Sequence, residues 1–128
     1  MNIRKGYYED GEDALFTWSI IQNAIRITYT DRQLYHYRMN EGSICHSSFG
    51  AKKISAHWAW EQICRETDMW WPEYLIIARA RHCIEDVLLL RDAVKSNYMV
   101  ESDLLLLQNT ISAYWPYLFK CPITTRKM

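Results

Sequence analysis

The chain has 128 residues, 49% of them apolar, and its 15 basic and 15 acidic side chains cancel. That length and apolar share exclude compositional disorder and suit one domain or part of one. Balanced charge without a basic stripe excludes a general nucleic-acid binder, and no apolar run approaches the ~18 residues of a membrane span.

Residues 1–11 are polar and aromatic and read as a strand remnant or loop ending at Gly11. From Glu12 the pattern turns helical, with Leu15, Trp18, Ile21 and Ile25 on one face. Glu12 and Asp13 sit where acidic side chains favour a helix start. Ile25 to Thr30 and Gln33 to Arg38 alternate β-branched or aromatic residues around Asp31-Arg32, which predicts two short strands. Residues 39–50, with two glycines and three serines, read as loop.

The remainder is helical. One segment runs from about Ala51 to Thr67, and a second, after Pro72, a good first-turn residue, runs to about Lys95. A third starts near Glu101, with Ser102 as a candidate cap, and ends at Trp115-Pro116, where proline is expected to stop it. The fold class is therefore mainly α, about four helices with a two-stranded β element near the N-terminus. Residues 1–50 and 51–128 form its two parts.

Six tryptophans and nine tyrosines are many for this size. Most fill a small helical core, while Trp58, Trp60, Trp70 and Trp71 surround a turn between helices and suit a docking surface. Cys45, Cys64, Cys83 and Cys121 lie far apart, and the adjacent pairs Cys45-His46 and His82-Cys83 suit zinc poorly. They read as reduced, mostly buried thiols in a cytoplasmic chain, without a metal site.

The chemistry-bearing residues concentrate in residues 7–46. Four carboxylates, Glu9, Asp10, Glu12 and Asp13, fall within five positions ahead of an amphipathic helix. Strand alternation places Tyr35 and Tyr37 on one face and His36 and Arg38 on the other. An arginine leaving a strand into a Gly-Ser loop suits a phosphate contact, because the guanidinium fork matches paired oxygens. An ion pair with Glu41 is the alternative use of Arg38.

Taken in order, Gly11-Glu12-Asp13-Ala14-Leu15-Phe16, Leu34-Tyr35-His36-Tyr37-Arg38 and Gly42-Ser43-Ile44 resemble bacterial family 2 glycosyltransferases of the capsule, exopolysaccharide and O-antigen type. His36 stands where tyrosine is commoner in that family. The resemblance implies that residues 1–50 end a GT-A type catalytic α/β domain and that residues 51–128 form its helical tail. It implies an inverting transfer from a nucleotide-sugar to a hydroxyl of an acceptor glycan. Asp13 is then the general base beside Glu12, and Asp10 is the alternative base, although spacing to the Tyr-Arg strand favours Asp13. Arg38, Ser43, His46 and Tyr37 are the implied substrate contacts.

The chain contains no Asp-x-Asp sequence. The resemblance therefore implies that the donor site, with its Mg or Mn, belongs to an N-terminal α/β domain preceding residue 1, and that this chain alone does not transfer sugar. The implied location is cytoplasmic, at the inner face of the membrane, with peripheral membrane contact through the tryptophan-rich turn as the weakest expectation. A free-standing helical module that binds a protein partner is the alternative from another class.

Overall fold

The computed structural model describes residues 11–36 and 49–121. Among them are four α-helices, α1 (Glu12–Asn23), α2 (Ala51–Trp70), α3 (Leu75–Lys95) and α4 (Glu101–Lys120), with a 3-10 turn at Pro72–Tyr74 between α2 and α3. Helix α1 lies against α2, α2 against α3, and α3 against α4.

Helix α2 carries two buried stripes. Ala56, Ala59, Ile63 and Thr67, at steps of three and four, face α1, where Leu15 is fully buried against Ala59 and Ile63. Ile54 and Ala56 join Leu89 of α3 and Leu107 of α4 in a second cluster, with Phe49, Leu90 and Leu106 packed around it. Small side chains at Ala56, Ala59, Ala78, Ala80 and Ala93 let the helix backbones approach closely.

The approach is closest at Gly11, which precedes α1 with φ +78°. A Cβ there would stand 3.1 Å from the Ala56 backbone and 3.2 Å from the Ala59 side chain. Glycine meets both demands, the left-handed backbone and the missing side chain.

The expected two-stranded element is not present among the described residues. Residues 24–36 have no strand, and Ile25, Ile27, Tyr29, Leu34 and Tyr35 are all exposed. The physical reason is that a lone two-stranded ribbon is marginal in water without a third strand or a helix to cover it. Local bonds compete as well, since the Arg32 N–H donates to Thr30 Oγ1 at 3.2 Å. Ile25, expected on the α1 face, lies beyond the helix end.

Proline does not stop α4. Pro116 sits inside the helix, which runs on to Lys120. One lost backbone bond is offset by packing on the far side: Arg79 Nη1 donates to Tyr117 Oη at 2.9 Å, and Cys121 is buried. Val100 rather than Ser102 precedes the helix, without a side-chain cap. Pro72 opens the 3-10 turn, as the sequence suggests for a first-turn residue. No helix among the described residues is long and apolar enough to cross a membrane.

Candidate functional site

Glu12 and Asp13 open α1 and are exposed. Asp10, Tyr37, Arg38, Ser43 and His46 lie outside the described residues, as does the Gly42-Ser43-Ile44 loop. The one sequence-derived base whose surroundings are described is therefore Asp13.

Asp13 lines two hollows at once. The larger, about 610 Å³, is an open groove between α1, the C-terminal half of α2 and the start of α3, walled by Trp18, Trp60, Trp71 and Tyr74. Its surface is almost wholly apolar. The smaller, about 380 Å³, lies beyond Trp60 and mixes apolar with charged groups, among them Lys53, Arg81, Glu85 and Arg91. Asp13, Trp60 and Arg81 border both.

The aromatic wall is held in place by specific bonds. Trp18 Nε1 donates to Glu66 Oε2 at 2.8 Å, and its ring meets Trp71 edge-on at 5.6 Å between centroids. The Arg81 guanidinium lies 5.8 Å from the Trp60 ring centre and pairs with Glu85 at 2.6 Å, one helical turn along α3. Trp60 and Trp71 thus serve the groove, whereas Trp70 is exposed and Trp58 meets the buried His57 ring edge-on.

A second constellation lies between α2 and α3, and sequence reading missed it. His57 Nδ1 is 2.7 Å from Asp86 Oδ2, His82 Nε2 is 3.4 Å from the same oxygen, and the two ring nitrogens are 3.2 Å apart. On its other side His82 Nδ1 faces Glu61 Oε2 at 3.6 Å and Cys64 Sγ at 3.8 Å. His57, His82 and Asp86 are buried, and Tyr114 of α4 closes the far side, edge-on to His82.

Burial opposes charge on the Asp86 carboxyl, but hydrogen bonds from His57 and His82 outweigh it and hold the group below its ordinary value. Burial, followed by the neighbouring Glu61, pushes the Cys64 thiol up to about 12. The Tyr114 phenol rises for the same two reasons. Among the described residues, His57, Glu61 and His82 each present one ligand atom within 4.8 Å of the others.

The signal for this cluster was in the chain as His57-x-x-x-Glu61 and His82-x-x-x-Asp86, two pairs at one-turn spacing on successive helices. Each pair alone is indistinguishable from an ordinary polar face, so pairing across helices had to be seen in three dimensions. No family model, no curated protein and no solved structure matches the chain.

Proposed function

We propose that this chain is the acceptor-side helical region of an inverting glycosyltransferase of the family 2 type, with Asp13 as general base. The supporting observation is the placement of Asp13 on the shared border of a tryptophan-walled groove and a charged hollow. A glycan acceptor presents apolar sugar faces to the aromatic walls, as concave, largely apolar sites with a few polar groups do. The exposed carboxylate at the edge then takes the proton of the attacking hydroxyl. The hydroxyl oxygen bonds to the anomeric carbon as the sugar–diphosphate bond breaks, and the electron pair leaves with the diphosphate.

The divalent cation of that family does not fit beside Asp13. The carboxylates nearest Asp13 in the charged hollow are already paired, Glu85 with Arg81 and Asp92 with Arg91. The cation belongs with the donor-binding domain, and no step here is routed through it.

The test is transfer by the polypeptide that joins this region to its donor-binding domain. Asp13→Asn lowers kcat by about 10²- to 10⁴-fold, the worth of a positioned base, and leaves the fold intact. Undiminished turnover in that variant would falsify the assignment of the base. A second reading, a helical module that docks a protein partner, is favoured by the exposed apolar side chains of Ile25, Ile27, Tyr29, Leu34 and Tyr35. A monodisperse chain whose tryptophan fluorescence ignores alkyl glycosides decides for the module.

A further inference from the structure

The buried polar cluster does not close as a set of hydrogen bonds. Asp86 Oδ2 lies 2.7 Å from His57 Nδ1 and 3.4 Å from His82 Nε2, and those two nitrogens lie 3.2 Å from each other, so the three contacts cannot all be hydrogen bonds at once. On its other side His82 Nδ1 stands 3.6 Å from Glu61 Oε2, beyond hydrogen-bond reach. Cys64 offers only a weak S–H donor at 3.8 Å. Asp86 Oδ1 is buried without a hydrogen-bond partner.

Charged groups also gather here. Two carboxylates meet two imidazoles here, and Arg79, whose positive charge reaches Cys64 next to them, directs its guanidinium at Tyr117 Oη and the faces of Tyr114 and Tyr117. A buried carboxylate such as that of Asp86 is paired with cations or lies beside a metal, whereas the Glu61 side chain is 31% exposed.

We infer that His57, Glu61 and His82 form a binding site for a divalent transition metal, best matched by Zn2+, with Asp86 as the carboxylate that orients the imidazoles. Two nitrogens and one carboxylate oxygen are a zinc donor set, and three protein ligands leave a fourth position for water. Ligands about 2.0–2.1 Å from a tetrahedral zinc stand about 3.4 Å from one another; His82 Nδ1 and Glu61 Oε2 are at 3.6 Å and the whole trio lies within 4.8 Å, so binding draws the three together. His82 coordinates through Nδ1 because its Nε2 is held by Asp86. The same carboxylate holds His57 Nδ1, which leaves Nε2 as the ligand nitrogen of that ring. An outer carboxylate bonded to the far nitrogen of a ligand histidine is the usual device for fixing its tautomer and direction. With two ligands on α2 and one on α3, the ion fastens these helices together, so its binding adds to folding stability.

The test uses the purified full chain, stripped with a chelator and titrated with Zn2+ or Co2+ alone. One equivalent of Zn2+ binds and raises Tm, and Co2+ gives the visible d–d absorption of a four-coordinate ion without a thiolate charge-transfer band, since Cys64 stays outside the coordination sphere. Glu61→Gln, nearly isosteric and therefore folded, loses at least about tenfold in affinity, and Asp86→Asn loses about 10- to 100-fold. A His36→Ala/His46→Ala double variant binds as the wild type does. Three outcomes overturn the inference: no d–d absorption in the wild-type chain, unchanged affinity in Glu61→Gln, or loss of binding in the His36/His46 double variant, which would mark an adventitious ion. The cluster is then a hydrogen-bond network only.

Discussion

The indole N–H of Trp18 and the carboxylate of Glu66 meet at 2.8 Å across the α1–α2 interface, and Gln22 Nε2 donates to the same oxygen at 3.3 Å. This clip ties the middle of α1 to the C-terminal half of α2, where the aromatic groove opens. One carboxylate oxygen therefore serves two donors from one helix, which makes it the obvious point at which to loosen α1.

Glu66→Ala leaves the Trp18 N–H without its acceptor and costs about 1–2 kcal/mol, since bonds to charged groups are worth more than neutral ones but this pair is only half-buried. Urea unfolding measures the loss. Trp18→Phe keeps the ring and removes the donor, so the double variant Trp18→Phe/Glu66→Ala costs less than the sum of the two single changes.

The run Leu104-Leu105-Leu106-Leu107 separates by position on α4. Leu107 is fully buried in the α2–α3–α4 cluster, while Leu105 is about half exposed. Leu107→Ala costs about 2–5 kcal/mol through lost burial and a residual cavity. Leu105→Ala stays within about 0.5 kcal/mol. Equal losses at the two sites would contradict the orientation of α4.

Tyr98, in the α3–α4 turn, donates to Asp103 Oδ2 at 2.7 Å and stacks edge-on with Phe49. That hydrogen bond, with a smaller effect of burial, raises the phenol above its ordinary value. A group whose folded value is raised contributes stability that is whole below its unfolded value, near pH 10, and that vanishes as pH climbs through the folded value. The denaturation midpoint of the wild type thus falls across this alkaline window. Asp103→Asn removes most of that slope, and a slope unchanged by the substitution rules out the Tyr98 linkage.

Cys64 and Cys83 are buried thiols, each pushed up chiefly by burial, Cys64 to about 12. Because the thiolate is the reactive form, neither reacts with a disulfide reagent at pH 8 until the chain unfolds. With Cys45→Ser removing the cysteine outside the described residues, thiol release tracks unfolding by circular dichroism. A fast phase in the native protein would contradict the burial.

Much of the helical frame was legible because apolar periodicity and punctuation agree with packing. Leu15 and Trp18 mark the inward face of α1, and Pro72 marks the turn before α3. The strands were not legible because alternation at Ile25, Ile27 and Tyr29 records a preference that only a covering layer can make good. Pro116 misled for the opposite reason, since contacts made by Tyr117 and Cys121 overrule a local breaker. Asp13 could be singled out in the sequence, but the tryptophan wall beside it could not, because Trp18, Trp60 and Trp71 come from separate segments. His57 and His82 were invisible as a pair, being 25 residues apart along the chain and 3.2 Å apart in space.

Gly11 has a consequence for how the groove can diversify. Where a missing Cβ lets the start of α1 rest on the backbone of Ala56, the spacing of the two helices is set by main-chain contact. Sliding α1 along α2 would then proceed in whole-turn jumps rather than by gradual adjustment. Replacements at Thr17, Ile21 or Tyr74 repaint the groove's lining while its width stays put. Altered recognition is therefore reached through the identities of the lining side chains, at a constant calibre.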